Sequence, residues 1–110
     1  MPLEHRQVDS TQVVEISGRL VFGRETEQLE SLVKDLSAQG ASRVVFDISA
    51  LEYTDSSGVG ALVASLTLIK RAGGELRMAG ARPRIQRILE LTGMDKLVQF
   101  YSTVEEAVAG

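Results

Sequence analysis

Arg43-Val44-Val45-Phe46-Asp47-Ile48, followed shortly by Tyr53-Thr54-Asp55-Ser56-Ser57-Gly58-Val59-Gly60, is the stretch whose reading decides the fold. Val44, Val45, Phe46 and Ile48 make a run that is apolar on both faces, as expected of a strand buried in the middle of a sheet. A helix is predicted to begin near Ser57 and to run to about Arg71. Val59, Leu62, Val63, Leu66 and Ile69 supply its inner face, and Ala61, Ala64 and Leu68 widen that face, so this helix should be well buried. Gly73-Gly74 is its natural stop.

Working outward, residues 75–79 read as another strand. Upstream, residues 25–38 form the clearest helix: Leu29, Leu32, Val33 and Leu36 recur at i, i+3, i+4 and i+7. Glu25, Glu27 and Glu30 suit the positive end of its dipole, and Gly40 closes it. Residues 3–8 and 12–17 read as two short strands, joined by turn chemistry at Asp9, Ser10 and Thr11 and ended by Gly18. Downstream, Pro83 sits near the first turn of a third helix with Ile85, Ile88, Leu89 and Thr92 as its inner stripe, closed by Gly93. Residues 98–101 make a last strand, and Ser102-Thr103-Val104-Glu105 reads as a capping box opening a short C-terminal helix. Strands alternating with helices give an α/β domain with parallel pairing and right-handed crossovers: a small mixed central sheet of about five strands with four helices. No repeat, low-complexity segment or linker divides the chain, so residues 1–110 are read as one domain.

Composition narrows the function. The chain has 110 residues, 44% of them hydrophobic and 25% charged, which suits a soluble globular domain able to bury its own core. There is no cysteine, so disulfides, thiolate metal sites and cysteine nucleophiles are excluded. His5 is the one histidine, expected as a solvent-exposed strand residue, so no histidine metal cluster forms. A net charge of −3 makes a poor nonspecific nucleic-acid binder. The N-terminal residues carry no apolar run of the signal-peptide kind, and the longest nearly apolar stretch, 59–69, is too short to span a bilayer. A cytoplasmic location with no membrane contact is the expectation.

The chemistry gathers at residues 53–60. In an open α/β sheet, function collects at the carboxyl ends of strands. A helix N-terminus there offers unpaired backbone N–H groups and partial positive charge, which can hold a phosphate. A phosphate on Ser56 would add a charge of roughly −1.5 to −2 without unfolding the domain. Asp55 would repel it, leaving the new charge visible to a docking partner. Gly58 and Gly60 leave backbone uncovered, so that another protein can come close. Asp and Ser are equally good N-caps. Both readings can hold together, with Ser57 capping and Ser56 facing out.

Val44-Val45-Phe46-Asp47-Ile48, Asp55-Ser56-Ser57-Gly58-Val59-Gly60, Gly73-Gly74-Glu75-Leu76, Ile88-Leu89-Glu90-Leu91-Thr92-Gly93-Met94 and Glu105-Glu106-Ala107 together resemble the STAS superfamily, and within it the bacterial anti-sigma factor antagonists. The resemblance covers nearly the whole chain, in order. It implies a single STAS domain whose phospho-acceptor is Ser56, with Asp55 orienting the acceptor. Asp55, Ser57, Gly58, Gly60, Gly93 and Met94 are then the partner-binding residues. The implied partners are an ATP-dependent serine kinase that is also the anti-sigma factor, bound while Ser56 is unphosphorylated, and a metal-dependent serine phosphatase that resets the switch. No cofactor, metal site or catalytic activity of its own is implied. One departure stands out. Many such antagonists carry Asp directly after the Gly-x-Leu that ends the second strand, whereas here Gly18-Arg19-Leu20 is followed by Val21 and then Phe22-Gly23.

Alternatives are a STAS subunit docking on a transport ATPase and a small nucleotide-sensing domain. Gly58-Val59-Gly60-Ala61-Leu62-Val63 only partly matches a dinucleotide loop, and the following strand ends without an acidic residue for a ribose. Asp47 and Asp55 could be paired carboxylates, but no histidine or third acid completes an acid–base set. Lys70, Arg71, Arg77, Arg82, Arg84 and Arg87 cluster in sequence, either as a solvated face or as a contact for an acidic partner. Met94 is either core or an adaptable surface contact.

Overall fold

A computed structural model describes residues 3–110. The first two strands, β1 (Leu3–Val8) and β2 (Thr11–Ile16), form an antiparallel hairpin closed by Asp9 and Ser10. Asp9 takes φ 54, the left-handed conformation that aspartate tolerates in tight turns. After β2 the chain bends at Gly18, φ 71, and continues as β3 (Gly18–Leu20). Then come α1 (Arg24–Ala38), β4 (Arg43–Asp47), β5 (Leu51–Thr54) and α2 (Ser56–Arg71). The remaining elements are β6 (Glu75–Ala79), α3 (Pro83–Leu91), a 3-10 turn (Met94–Lys96), β7 (Gln99–Tyr101) and α4 (Val104–Ala109).

The main sheet has five strands in the order β1-β2-β4-β6-β7, parallel except for β1. The five strands and four helices expected from patterning are present. The sequence reading has no counterpart for a second sheet, in which β3 pairs parallel with β5. That small sheet extends the chain beyond the carboxyl ends of β2 and β4 and carries the start of α2.

The two faces of the main sheet are covered unequally. On one, Val14, Ile16, Val44, Phe46, Leu76 and Met78 meet Leu29, Val33 and Leu36 of α1, Leu62, Leu66 and Ile69 of α2, and Ile85 and Leu89 of α3. This is the core, and it holds most of the buried apolar area that drives folding. On the other face the apolar cluster is small: Val13, Val45 and Ala79 of the sheet meet Ala107 of the short α4. Helices α1 and α2 both end in Schellman motifs: Ala41 N–H bonds Leu36 O and Gly74 N–H bonds Ile69 O. Gly40 (φ 82) and Gly73 (φ 85) take the left-handed position that each motif needs.

Two expectations need correction. The capping box of the last helix lies one residue later than read: Thr103 is the N-cap, its Oγ1 accepting from Glu106 N–H at 3.1 Å and donating to Glu106 Oε1 at 3.3 Å. The basic cluster is not one face. Arg77 lies buried on the thin side of the sheet, its Nε donating to Glu75 Oε2 at 2.9 Å and its NH1 to Ala107 O at 2.8 Å. Lys70, Arg71, Arg82, Arg84 and Arg87 are exposed, and the first two complement the negative end of α2. Among the described residues, no helix is long and apolar enough to cross a membrane.

Candidate functional site

The site is built where β5 passes into α2. Thr54, the last residue of β5, is buried and donates its hydroxyl to Leu20 O at 2.9 Å, tying β5 to the end of β3. Asp55 then turns the chain with extended backbone (φ −103, ψ −174) and becomes the N-cap of α2. Its Oδ1 accepts from Gly58 N–H at 2.8 Å. Its Oδ2 accepts from Phe22 N–H at 3.2 Å, across 33 residues of sequence. One carboxylate therefore satisfies a helix-terminal donor and also ties down the loop after β3. The Gly58 N–H is the main influence holding the Asp55 carboxyl below the usual carboxylate range. Partial burial opposes it, and the N–H groups of Phe22, Asp55 and Ser57 add to the lowering. Asp55 is thus a carboxylate at neutral pH and a weak proton acceptor.

Ser56 is the first residue of α2 and is exposed. None of the described hydrogen bonds engages its hydroxyl, which stands free at the positive end of a 16-residue helix. The structure reverses the expected division of labour in one respect: Asp55 caps the helix, whereas Ser57 is half-buried and caps nothing.

Gly58 was expected to bare the backbone for a partner. It is buried instead, and a Cβ there would collide with Thr54 Oγ1 and with Leu20 O. Its smallness lets the first turn of α2 lie directly on the β3–β5 sheet. Gly60 does face solvent, and a Cβ at that position would meet nothing within 4 Å. Gly93, φ 83, is the left-handed closure of α3 and is half-buried. Met94 is fully buried in the main core, so its side chain cannot serve as an adaptable surface contact. His5 is exposed on β1, as expected.

Other carboxylates do not enlarge the site. Asp47 accepts both the N–H (3.1 Å) and the hydroxyl (2.7 Å) of Ser49, the role of a turn residue. Among the described residues, no group of His, Cys, Asp or Glu could hold a metal ion. The sequence reading noted the loop of Val21, Phe22 and Gly23 as a departure from the family pattern but gave no role to Phe22 or to the pair Arg19–Tyr53. The Phe22 side chain is 80% exposed. The Arg19 guanidinium lies over the Tyr53 ring, 4.6 Å from its centre. A large apolar residue beside a glycine in a loop was the one visible signal.

A free serine hydroxyl at a helix start, on a small second sheet beside a mixed five-stranded one, defines a class that comparison makes specific. The STAS domain model matches residues 3–107, and the chain belongs to that family. The anti-sigma F factor antagonist of Paenibacillus polymyxa is 26% identical over 96 residues, covering 87% of this chain and 82% of that protein. The anti-sigma-B factor antagonist of Bacillus subtilis (strain 168) is 27% identical over 95 residues, covering 86% and 85%. The crystal structure of an anti-sigma factor antagonist from Mycobacterium paratuberculosis superposes with a TM-score of 0.83 at 27% identity, covering 97% of this chain and 90% of that one.

Proposed function

We propose that this chain is an anti-sigma factor antagonist, a protein-binding module switched by phosphate on Ser56 and without catalysis of its own. With Ser56 unmodified it binds and sequesters a serine kinase that is also the anti-sigma factor. Phosphorylation ends that binding, and a metal-dependent serine phosphatase restores it. On this reading the chain works in the cytoplasm with its partners.

The observation that carries this reading is the free hydroxyl of Ser56 at the first position of α2. In the transfer, Ser56 Oγ bonds to the γ-phosphorus of ATP, the bond from that phosphorus to ADP breaks, and the hydroxyl proton leaves to a base. Asp55 is a poor candidate for that base, because its oxygens already accept N–H groups and its carboxyl is held on the acid side. The base therefore comes from the kinase. Once attached, the phosphate stands beside Asp55, and a docked protein would have to desolvate two like charges at once.

The test is incubation with the anti-sigma kinase and ATP, followed by mass spectrometry and binding measurement. Phosphate on Ser56 is expected, with Ser56→Asp losing kinase binding and Ser56→Ala binding constitutively. Phosphate on another residue, or equal binding by all three forms, would sink the reading.

A further inference from the structure

We propose that Phe22 is the aromatic anchor of the surface around Ser56, and that its occupant is a serine kinase with an apolar pocket beside the cleft that receives the hydroxyl. This rests on the function proposed above and adds to it the chemistry of the partner.

Among the described residues, Phe22 is the most exposed of the large apolar side chains, at 80%. Two residues before it, Leu20 is 1% exposed and anchors the end of β3 in the core. The ring is therefore thrown outward from a fixed base. Its backbone N–H is held by Asp55 Oδ2 at 3.2 Å, and the other oxygen of that carboxylate holds Gly58 N–H at 2.8 Å. Asp55 is the residue before Ser56, so aromatic ring and acceptor hydroxyl hang from one support. An anchor ordered before docking avoids the entropic cost of ordering its loop on binding.

The same small sheet displays Tyr53 with Arg19 stacked on it. Aromatic residues and arginine are the types enriched in protein–protein interfaces and in their energetically dominant contacts. Charge argues against a second copy of this chain as occupant. Two such faces meeting about a two-fold axis would bring their Asp55 carboxylates together away from water. A partner with an apolar pocket and no facing carboxylate fits both the ring and the charge.

The test places a photo-crosslinking residue in the full chain in the cells that make it, as Phe22→p-benzoylphenylalanine and separately as Gly60→p-benzoylphenylalanine. Gly60 has open space around it and reports docking on the first turns of α2 independently of Phe22. The expected result is the same protein crosslinked at both positions, lost from both when Ser56→Asp is added, and able to phosphorylate Ser56 with ATP once purified. With that kinase, Phe22→Ala is expected to weaken binding at least about tenfold and Phe22→Tyr less than about threefold, as for a central aromatic contact. An adduct at residue 60 with none at 22, an adduct at 22 of twice the mass of this chain, or Phe22→Ala binding like the parent would each overturn the proposal while leaving the Ser56 switch standing. No adduct at either position would remove both.

Discussion

Helices α2 and α3 both start where a parallel strand ends, yet their openings are closed by different chemistry. Asp55 caps α2 with a side-chain hydrogen bond, and small residues, Ser56, Ser57 and Gly58, make up its first turn. The N-cap of α3 is Arg82, which makes no capping bond. Pro83 opens the helix with its φ already restricted and no N–H to satisfy. Arg82 reaches sideways instead, its Nε donating to Ser49 O at 2.9 Å. Gly80, φ 79, lies close against Ser49. The α3 opening is therefore a fastening between neighbouring loops. The α2 opening leaves the Ser56 hydroxyl outside while the Asp55 carboxylate does the fastening. On the function proposed above, it is this division between cap and hydroxyl that leaves Ser56 open to phosphate.

Substitutions at the two openings should separate them. The largest effect is expected for Gly58→Ala, whose methyl group has no room against Thr54 and Leu20. Overpacking of this kind costs about 3 kcal/mol, readable as a lower urea midpoint, and should also displace Ser56 and slow its phosphorylation. Next comes Asp55→Asn, which retains an acceptor for Gly58 but turns an amide donor toward the Phe22 N–H. The native carboxyl titrates below its unfolded value of about 3.9, so its contribution is complete above that pH and is lost as pH falls through the folded value. Melting curves should show the parent ahead of Asp55→Asn at pH 7 and the gap closing below about pH 4. A gap that persists unchanged in acid would mean that the charge is not what matters.

The α3 opening should respond less. Arg82→Ala removes one exposed hydrogen bond to Ser49 O and should cost about 1 kcal/mol or less in chemical denaturation, with Ser56 phosphorylation unaltered. Pro83→Ala should cost only about 0.5 kcal/mol, mainly by freeing the unfolded chain. If either matched Gly58→Ala in its effect on phosphorylation, the two openings would not be independent.

Much of this architecture was readable from residue patterns, and the exceptions share a cause. The run Val44, Val45, Phe46 and Ile48 and the stripes of α1 and α2 are long enough for their period to show, and Leu29, Val33 and Leu36 of α1 and Val59, Leu62, Leu66 and Ile69 of α2 lie in the main core. The α2 face was read too wide: Val63 and Ala64 are exposed and Leu68 is half-buried, because the face that α1 and the sheet cover is narrower than the run of apolar residues. The β3–β5 sheet consists of three- and four-residue strands held by contacts distant in sequence, such as Thr54 Oγ1 to Leu20 O, and so short a segment has no visible period. Gly18 read as a strand end because it does break β2, but the chain goes on in another sheet. At the site, the Asp-Ser-Ser-Gly pattern singled out Ser56 as the candidate acceptor, and the structure leaves its hydroxyl exposed. The pattern could not show which residue caps, because Asp and Ser are equally good at it. It also could not show that Gly58 answers a backbone carbonyl arriving from Leu20. Met94 could have gone either way on chemistry, and only the packing of the 3-10 turn decides it.

The grip of Asp55 on residue 22 acts through the peptide N–H, so it does not depend on which side chain that residue carries. Nineteen of the twenty amino acids would leave the tether intact, proline alone lacking the hydrogen. The tip beside Ser56 is thus exchangeable on a permanent mount. On the function proposed above, a change at that one position would alter what the loop offers a partner without disturbing the cap beside Ser56.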